Sequence, residues 1–220
     1  MSAVPDPGYY LDSWELDNAY VRICNPLSVN MNENHTLQAM FKPLNVGHNI
    51  ATKWVASKTV VGQGLNLSVQ VTVLNTGSYA ENFSVTAYLS STQITPQNIT
   101  LDSGAYMTLT FTMNTSSISK GNYTIWAYSS PLFDETETAD NNCTGGWVLV
   151  ARVGDLNGDD KCDGRDLIIG SRAFGSYGPD YYYPGSPATL GWNANADITD
   201  DNKVDGRDLI IMSRHFGEGT

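Results

Sequence analysis

The chain has little basic charge, few cysteines and no long apolar run, and each shortage weighs against a class of function. Twelve Lys and Arg stand against 23 Asp and Glu, a formal net charge of −11. Nucleic acid is held mainly by Lys and Arg neutralising phosphates, and anionic membrane surfaces attract the same residues. The charge argues against both. No apolar stretch approaches the roughly 18 residues of a membrane-spanning helix. Three cysteines, Cys24, Cys143 and Cys162, are too few for a disulfide scaffold and too scattered for a zinc site. The opening Met1-Ser2-Ala3-Val4-Pro5 has neither the charged nor the apolar region of a signal peptide. The expectation is a removed address, or a piece of a longer chain. No nucleophile elbow, HExxH, Walker loop or Gly-rich dinucleotide turn occurs, and His35, His48 and His215 are isolated. The acidic run Asp134-Glu135-Thr136-Glu137 falls in a loop between strands. The chain is therefore expected not to be an enzyme.

What is abundant is the Asn-x-Ser/Thr triplet. It occurs at Asn34, Asn66, Asn82, Asn98, Asn114, Asn122 and Asn142, where chance would give roughly three. All precede residue 150. They read as N-glycan acceptors, although strands with a polar outer face also generate such triplets by alternation.

From about residue 51 to 151 the pattern is β. Leu65-Asn66-Leu67-Ser68-Val69-Gln70-Val71-Thr72-Val73 alternates with period two. So do segments at 82–87, 106–113 and 122–127, with Trp147-Val148-Leu149-Val150 following. Turn signals at Asn75-Thr76-Gly77, Asp102-Ser103-Gly104 and Lys120-Gly121-Asn122 divide them. Short strands at this spacing predict a β-sandwich. Its expected inward residues are Leu65, Leu67, Val69, Val71, Phe83, Val85, Leu109 and Phe111. The tryptophans Trp14, Trp54, Trp126, Trp147 and Trp192 are expected as core or interface anchors rather than as a sugar platform.

The last 70 residues contain a duplication. Residues 155–175 and 197–217 are identical at 14 of 21 positions. In each, oxygen-bearing side chains fall at loop positions 1, 3, 5 and 12, with an apolar residue at 8. Calcium takes six to eight hard oxygen ligands, and a 12-residue loop presents them from those positions and from the carbonyl at 7. Two calcium ions are expected. The first would use Asp155, Asn157, Asp159, the Lys161 carbonyl and Asp166, and the second Asp197, Thr199, Asp201, the Lys203 carbonyl and Asp208. Asp163 and Asp205, at position 9, could ligate through water. Position 6, usually Gly, is Asp160 and Asn202, residue types that tolerate left-handed backbone. Thr199 is a neutral ligand, so the second site is expected to be the weaker. Residues 151–220 carry 12 acids and seven bases, net −5, which two Ca²⁺ would bring to about −1. Metal binding is then coupled to folding. Leu167, Ile168, Ile169 and Phe174, with Leu209, Ile210, Ile211 and Phe216, are expected to form a shared core. Cys162 aligns with Val204 and is expected to be a small buried residue, leaving Cys24 and Cys143 as the candidate disulfide.

Three resemblances follow from these residues. The stretches 57–64, 71–77 and 120–125, with Glu135-Thr136-Glu137-Thr138-Ala139-Asp140-Asn141, resemble the CARDB-type sandwiches of archaeal and bacterial surface proteins. Residues 8–43 resemble the C-terminal half of a divergent internalin-type B-repeat. Its first strands are missing, which would leave an edge open to another chain. An Asp at position 12 followed by one helix resembles the type I dockerin. That resemblance implies a cohesin partner touching Arg165, Arg172, Arg207 and Arg214, which are otherwise solvated arginines.

The expected architecture is mainly β. It has a partial β segment (1–46), an Ig-like β-sandwich (47–152) and a small α-helical tandem calcium-loop domain (153–220). The expected function is an extracellular or cell-surface structural or adhesive glycoprotein, stabilised by two calcium ions and associating with copies of itself into an assembly or filament. One alternative is the C-terminal part of a secreted protein docking onto a cohesin. A second is a carbohydrate-binding module.

Overall fold

A computed structural model describes residues 1–21, 23–181 and 186–219. Among these residues the chain is mainly β, with twelve strands and two ten-residue α-helices. It divides into two compact units. One comprises residues 1–55, 70–111 and 126–145, and the other residues 56–69, 112–125 and 146–220.

The first unit begins with a three-stranded antiparallel sheet of β1 (Tyr9–Leu16), β2 (Ala19–Val21) and β3 (Leu37–Pro43), in the order β2-β1-β3. Period-two alternation would place Leu11 and Trp14 on opposite faces. A register shift between Leu11 and Ser13 resets the phase, as an extra bulged residue does. Leu11 and Trp14 then share one cluster with Ala3, Cys24 and Leu27, while Tyr10 enters another with Ile23 and Leu74. The bulged residue, Asp12, meets Lys42 and Lys53, each at 2.9 Å. Trp14 Nε1 donates to the Cys24 carbonyl at 2.7 Å, so the indole is satisfied as well as buried.

That packing bears on the expected disulfide. No disulfide is present among the described residues, so Cys24 and Cys143 are not joined. Cys24 is committed to the apolar cluster around Trp14. Cys143 lies in the strand Asn142–Ala151 beside Val55, where burial raises its thiol pKa.

The sandwich strands follow the alternation. They are β4 (Ile50–Ala56), β5 (Val60–Gly62), β6 (Asn66–Asn75), β7 (Glu81–Leu89), β8 (Thr92–Gln93), β9 (Gln97–Leu101), β10 (Tyr106–Asn114), β11 (Gly121–Ser129) and β12 (Asn142–Ala151). One sheet runs β10-β6-β4 and the other β5-β12-β11-β7-β8, with β9 on β7. Leu67, Val69, Val71, Phe83, Val85, Leu109 and Phe111 are buried as the period predicts. Leu65 departs from its expectation. It precedes β6 and packs, partly buried, against the cluster formed by the C-terminal segment of its own unit.

Two predictions follow. Trp14→Ala should cost about 3–5 kcal/mol in denaturant unfolding, the range for large buried aromatics. His35 Nδ1 lies 2.7 Å from Asp17 Oδ2. The Asp17 contact raises the His35 pKa, while the Thr36 N–H and then His35 lower that of Asp17. The pair therefore stabilises the fold between the ordinary carboxylate and imidazole ranges. That contribution fades as pH rises through the His35 pKa, and again as pH falls through the Asp17 pKa. In an NMR titration, Asp17→Asn should move the His35 midpoint to lower pH.

Candidate functional site

The second unit contains the two acidic loops, 155–166 and 197–208. Each is wound around its first carboxylate. Asp155 Oδ1 accepts the N–H of Gly158 at 2.6 Å and of Asp159 at 3.3 Å, and Oδ2 accepts that of Asp160 at 2.8 Å. Asp197 repeats the pattern with Asp201 at 3.1 Å and Asn202 at 2.8 Å. Such tight winding needs left-handed backbone at positions 4 and 6. The φ values are +85° at Gly158 and +62° at Asp160 in the first loop, then +61° at Asp200 and +67° at Asn202 in the second. The residue types at position 6 announced this conformation. Position 4 carries Gly158 and Asp200, residue types that reach the same conformation.

The twelfth residue closes each loop onto its helix. Asp166 Oδ1 accepts from Leu156 N at 2.8 Å and Asn157 N at 3.2 Å, and Oδ2 from Asp163 N at 2.9 Å. Asp208 Oδ1 accepts from Thr199 N at 2.9 Å and from the Thr199 hydroxyl at 3.1 Å, and Oδ2 from Asp205 N at 2.8 Å. Asp163 and Asp205 cap the helices α1 (Gly164–Ala173) and α2 (Gly206–His215), completing capping boxes with Asp166 and Asp208. Position 9 is thus a helix cap, and Asp205 Oδ2 also holds Lys203 at 2.8 Å.

Relative exposures of 2, 0, 4 and 1% bury Asp155, Asp166, Asp197 and Asp208. Burying a carboxylate costs several kcal/mol unless a cation compensates it. Burial accordingly pushes Asp197 up to about 6 and raises Asp155, to which Asp166 adds repulsion. Asp201 Oδ1, at a ligand position, is buried with no hydrogen-bond partner. Oxygen donors, excess negative charge and an orphaned carboxylate oxygen suit a hard cation such as Ca²⁺. Among the described residues no three His, Cys, Asp or Glu side chains already converge as a metal cluster. The donor set also draws on Asn157, Thr199 and the carbonyls of Lys161 and Lys203, and the acids are turned toward loop N–H groups. Asn157 Oδ1 accepts from Asp159 N at 2.9 Å, and Asp159 Oδ1 from Lys161 N at 3.1 Å.

The four arginines are exposed. Two of them lean back toward their own loops, Arg165 to Asp159 at 3.6 Å and Arg207 to Asp201 at 3.2 Å. The expected helix core needs correction. The buried cluster is Leu156, Cys162, Ala173, Ala196, Ile198, Val204 and Met212, with Ile169, Leu209 and Ile211 partly buried against it. Leu167, Ile168, Phe174, Ile210 and Phe216 are each about half exposed. Burial of Asp166 and Asp208 turns the residues three and four further on, such as Ile169, Gly170, Ile211 and Met212, the same way. The run Leu-Ile-Ile cannot all face inward on a helix of 3.6 residues per turn. Cys162 is fully buried, as its alignment with Val204 predicted.

Cations that the motif did not reveal support the first loop. Lys120 Nζ meets Asp160 Oδ1 at 2.8 Å, and Arg152 Nε donates to the Asp160 carbonyl at 2.9 Å. The Lys120 contact holds the Asp160 carboxyl below its usual range.

All seven sequon asparagines are exposed, whereas Asn49, Asn75 and Asn141, outside sequons, are buried. Two sequons interlock across strands. Asn82 pairs with Thr100, and Asn98 with Ser84, so each asparagine lies opposite the hydroxyl residue of the other triplet. Trp126 stacks on Tyr88 with ring centroids 3.9 Å apart, and Trp147 is exposed.

Residues 44–145 match the CARDB family, and residues 1–45 match the divergent InlB B-repeat domain. No curated protein matches. Among solved structures, this chain is similar to the CARDB domain of a Pyrococcus furiosus protein crystallised with di-metal ions. The identity is 21%, covering 47% of this chain and 89% of that one, with a TM-score of 0.42. A Listeria innocua β-glucosidase in complex with glucose shows 14% identity over 47% of this chain and 16% of the enzyme, with a TM-score of 0.38.

The raised Asp197 carboxyl carries a pH signature in the metal-free protein. Its folded pKa of about 6 lies above the ordinary carboxylate value. The folded state then binds the proton more tightly than the unfolded state, and stability falls as pH rises between those values. In protein stripped of calcium beforehand and kept in calcium-free buffer, Asp197→Asn should therefore gain melting temperature relative to wild type as pH is raised from about 4 to about 6. A flat difference would count against the burial.

Proposed function

We propose that the chain is an extracellular, glycosylated, non-enzymatic structural protein whose C-terminal module binds two calcium ions. The observation that carries this is the pair of equivalent loops, each enclosing two buried carboxylates with too little positive charge to balance them. Asp155, Asn157, Asp159, Asp166 and the Lys161 carbonyl would hold the first ion. Asp197, Thr199, Asp201, Asp208 and the Lys203 carbonyl would hold the second. The metal would supply charge compensation and rigidity rather than a reactive centre. The exposed sequons and the CARDB match support a surface setting.

Self-association completes the proposal. β3 lies at an edge of its sheet, and an open edge can pair with another chain. A heterologous contact repeated without closure gives a filament. The half-exposed apolar residues of α1 and α2 favour a second reading, in which the module docks, dockerin-like, onto a cohesin. Such a face on a soluble domain marks an interaction site.

Calorimetry should record two calcium ions per chain, reduced to one by Asp166→Ala. No uptake at all would remove the calcium reading. Sedimentation of the source-purified protein should show polymers in calcium. A monodisperse monomer at high concentration, together with capture by a cohesin, would replace self-association with docking. Intact mass should exceed that of the polypeptide by whole glycans.

A further inference from the structure

The second calcium loop has a feature that the first lacks. Lys58, which lies just before β5, is only 7% exposed. Its ammonium donates to the Asp197 backbone carbonyl at 2.5 Å and pairs with Asp200 Oδ1 at 3.0 Å. Asp200 occupies loop position 4, where its backbone is left-handed. It is not among the expected ligands. One buried cation therefore grips the loop at both its first and its fourth residue.

The neighbouring residues extend the grip. Asn195, just before the loop, accepts the N–H groups of Thr59 and Val60, both at 3.0 Å. Its Nδ2 donates to the Leu156 carbonyl at 3.2 Å, at the start of the first loop. β5 pairs on its other side with β12, Val60 opposite Leu149. The Asn195 amide thus takes the place of a neighbouring strand along an edge that would otherwise present unpaired N–H groups. Lys58 and Asn195 act from the two sides of one short joint.

The first loop has no counterpart among the described residues. Its cations, Lys120 and Arg152, meet Asp160, whose side chain is 58% exposed. Ion pairs in such open positions contribute little. Removing one partner of a buried pair costs far more, because it strands the other charge.

We infer that Lys58 is a built-in counter-cation that keeps the second loop folded when no calcium is bound, while the first loop depends on its ion for order. This rests on reading 197–208 as a calcium loop, and it separates two properties usually taken together. The loop with the neutral Thr199 ligand is expected to release its ion first, yet it is the loop that keeps its shape afterwards. The release of calcium would then loosen 155–163 before 197–205.

Hydrogen exchange read by mass spectrometry on the full chain tests this, in EGTA and in saturating calcium. In EGTA, amides of 197–205 should stay protected in the wild type while those of 155–163 exchange fast. Lys58→Met keeps the apolar stem and removes the charge. It should lower protection of 197–205 by on the order of tenfold or more, the weight of a lost charged hydrogen bond. Asp200→Asn reads the same contact without stranding a carboxylate, and should lower it in the same segment. Calcium should restore protection in both variants. If both variants match wild type in EGTA, or if the two wild-type loops exchange alike, the role of Lys58 is overturned. If calcium changes exchange in neither loop, it is the calcium reading that falls, and the EGTA comparison still decides Lys58.

Discussion

Four buried carboxylates, one at each end of two duplicated loops, are the constraint around which the last third of the chain is arranged. A carboxylate removed from water must be met by hydrogen bonds and by positive charge. Both devices are present here. Loop N–H groups converge on Asp155 and Asp197, forcing left-handed turns at positions 4 and 6. Asp166 and Asp208 tie loop starts to helix starts. These bonds satisfy oxygens without removing charge. The remaining imbalance explains why Arg165 and Arg207 fold back, and why Lys58 and Lys120 reach the loops.

The same constraint sets which helix faces are apolar and inward. With Asp166 and Asp208 pinned, only one stripe of each ten-residue helix can join the cluster around Cys162 and Met212. The other apolar residues, Leu167, Ile168, Phe174, Ile210 and Phe216, remain on the surface. The burial of the loop carboxylates and the exposure of these apolar residues therefore have a common origin.

The sandwich follows simpler rules. Alternation buries one face of β6 completely and leaves Asn66 exposed. The same alternation placed Asn82, Asn98, Asn114 and Asn122 outward. In β1 one bulge at Asp12 reverses the phase and lets Leu11 and Trp14 share a core. A period-two reading of Tyr9-Tyr10-Leu11-Asp12-Ser13-Trp14 cannot anticipate that, because the extra residue is specified by pairing with β3 and by the lysines that meet Asp12.

By itself the sequence determined the β class of residues 51–151, the inward residues of β6, β7 and β10, the duplication of two acidic loops rich in oxygen-bearing side chains, and the outward sequons. These are local properties of period and spacing, and a strand or a twelve-residue loop expresses them wherever it sits. Tertiary structure alone decided that Cys24 packs beside Trp14 rather than bonding to Cys143, and that Lys58 holds Asp200. Each of those depends on residues distant in the chain, the last pair by 142 positions. No periodicity carries that information, since a buried charge chooses its partner by the geometry of the completed fold.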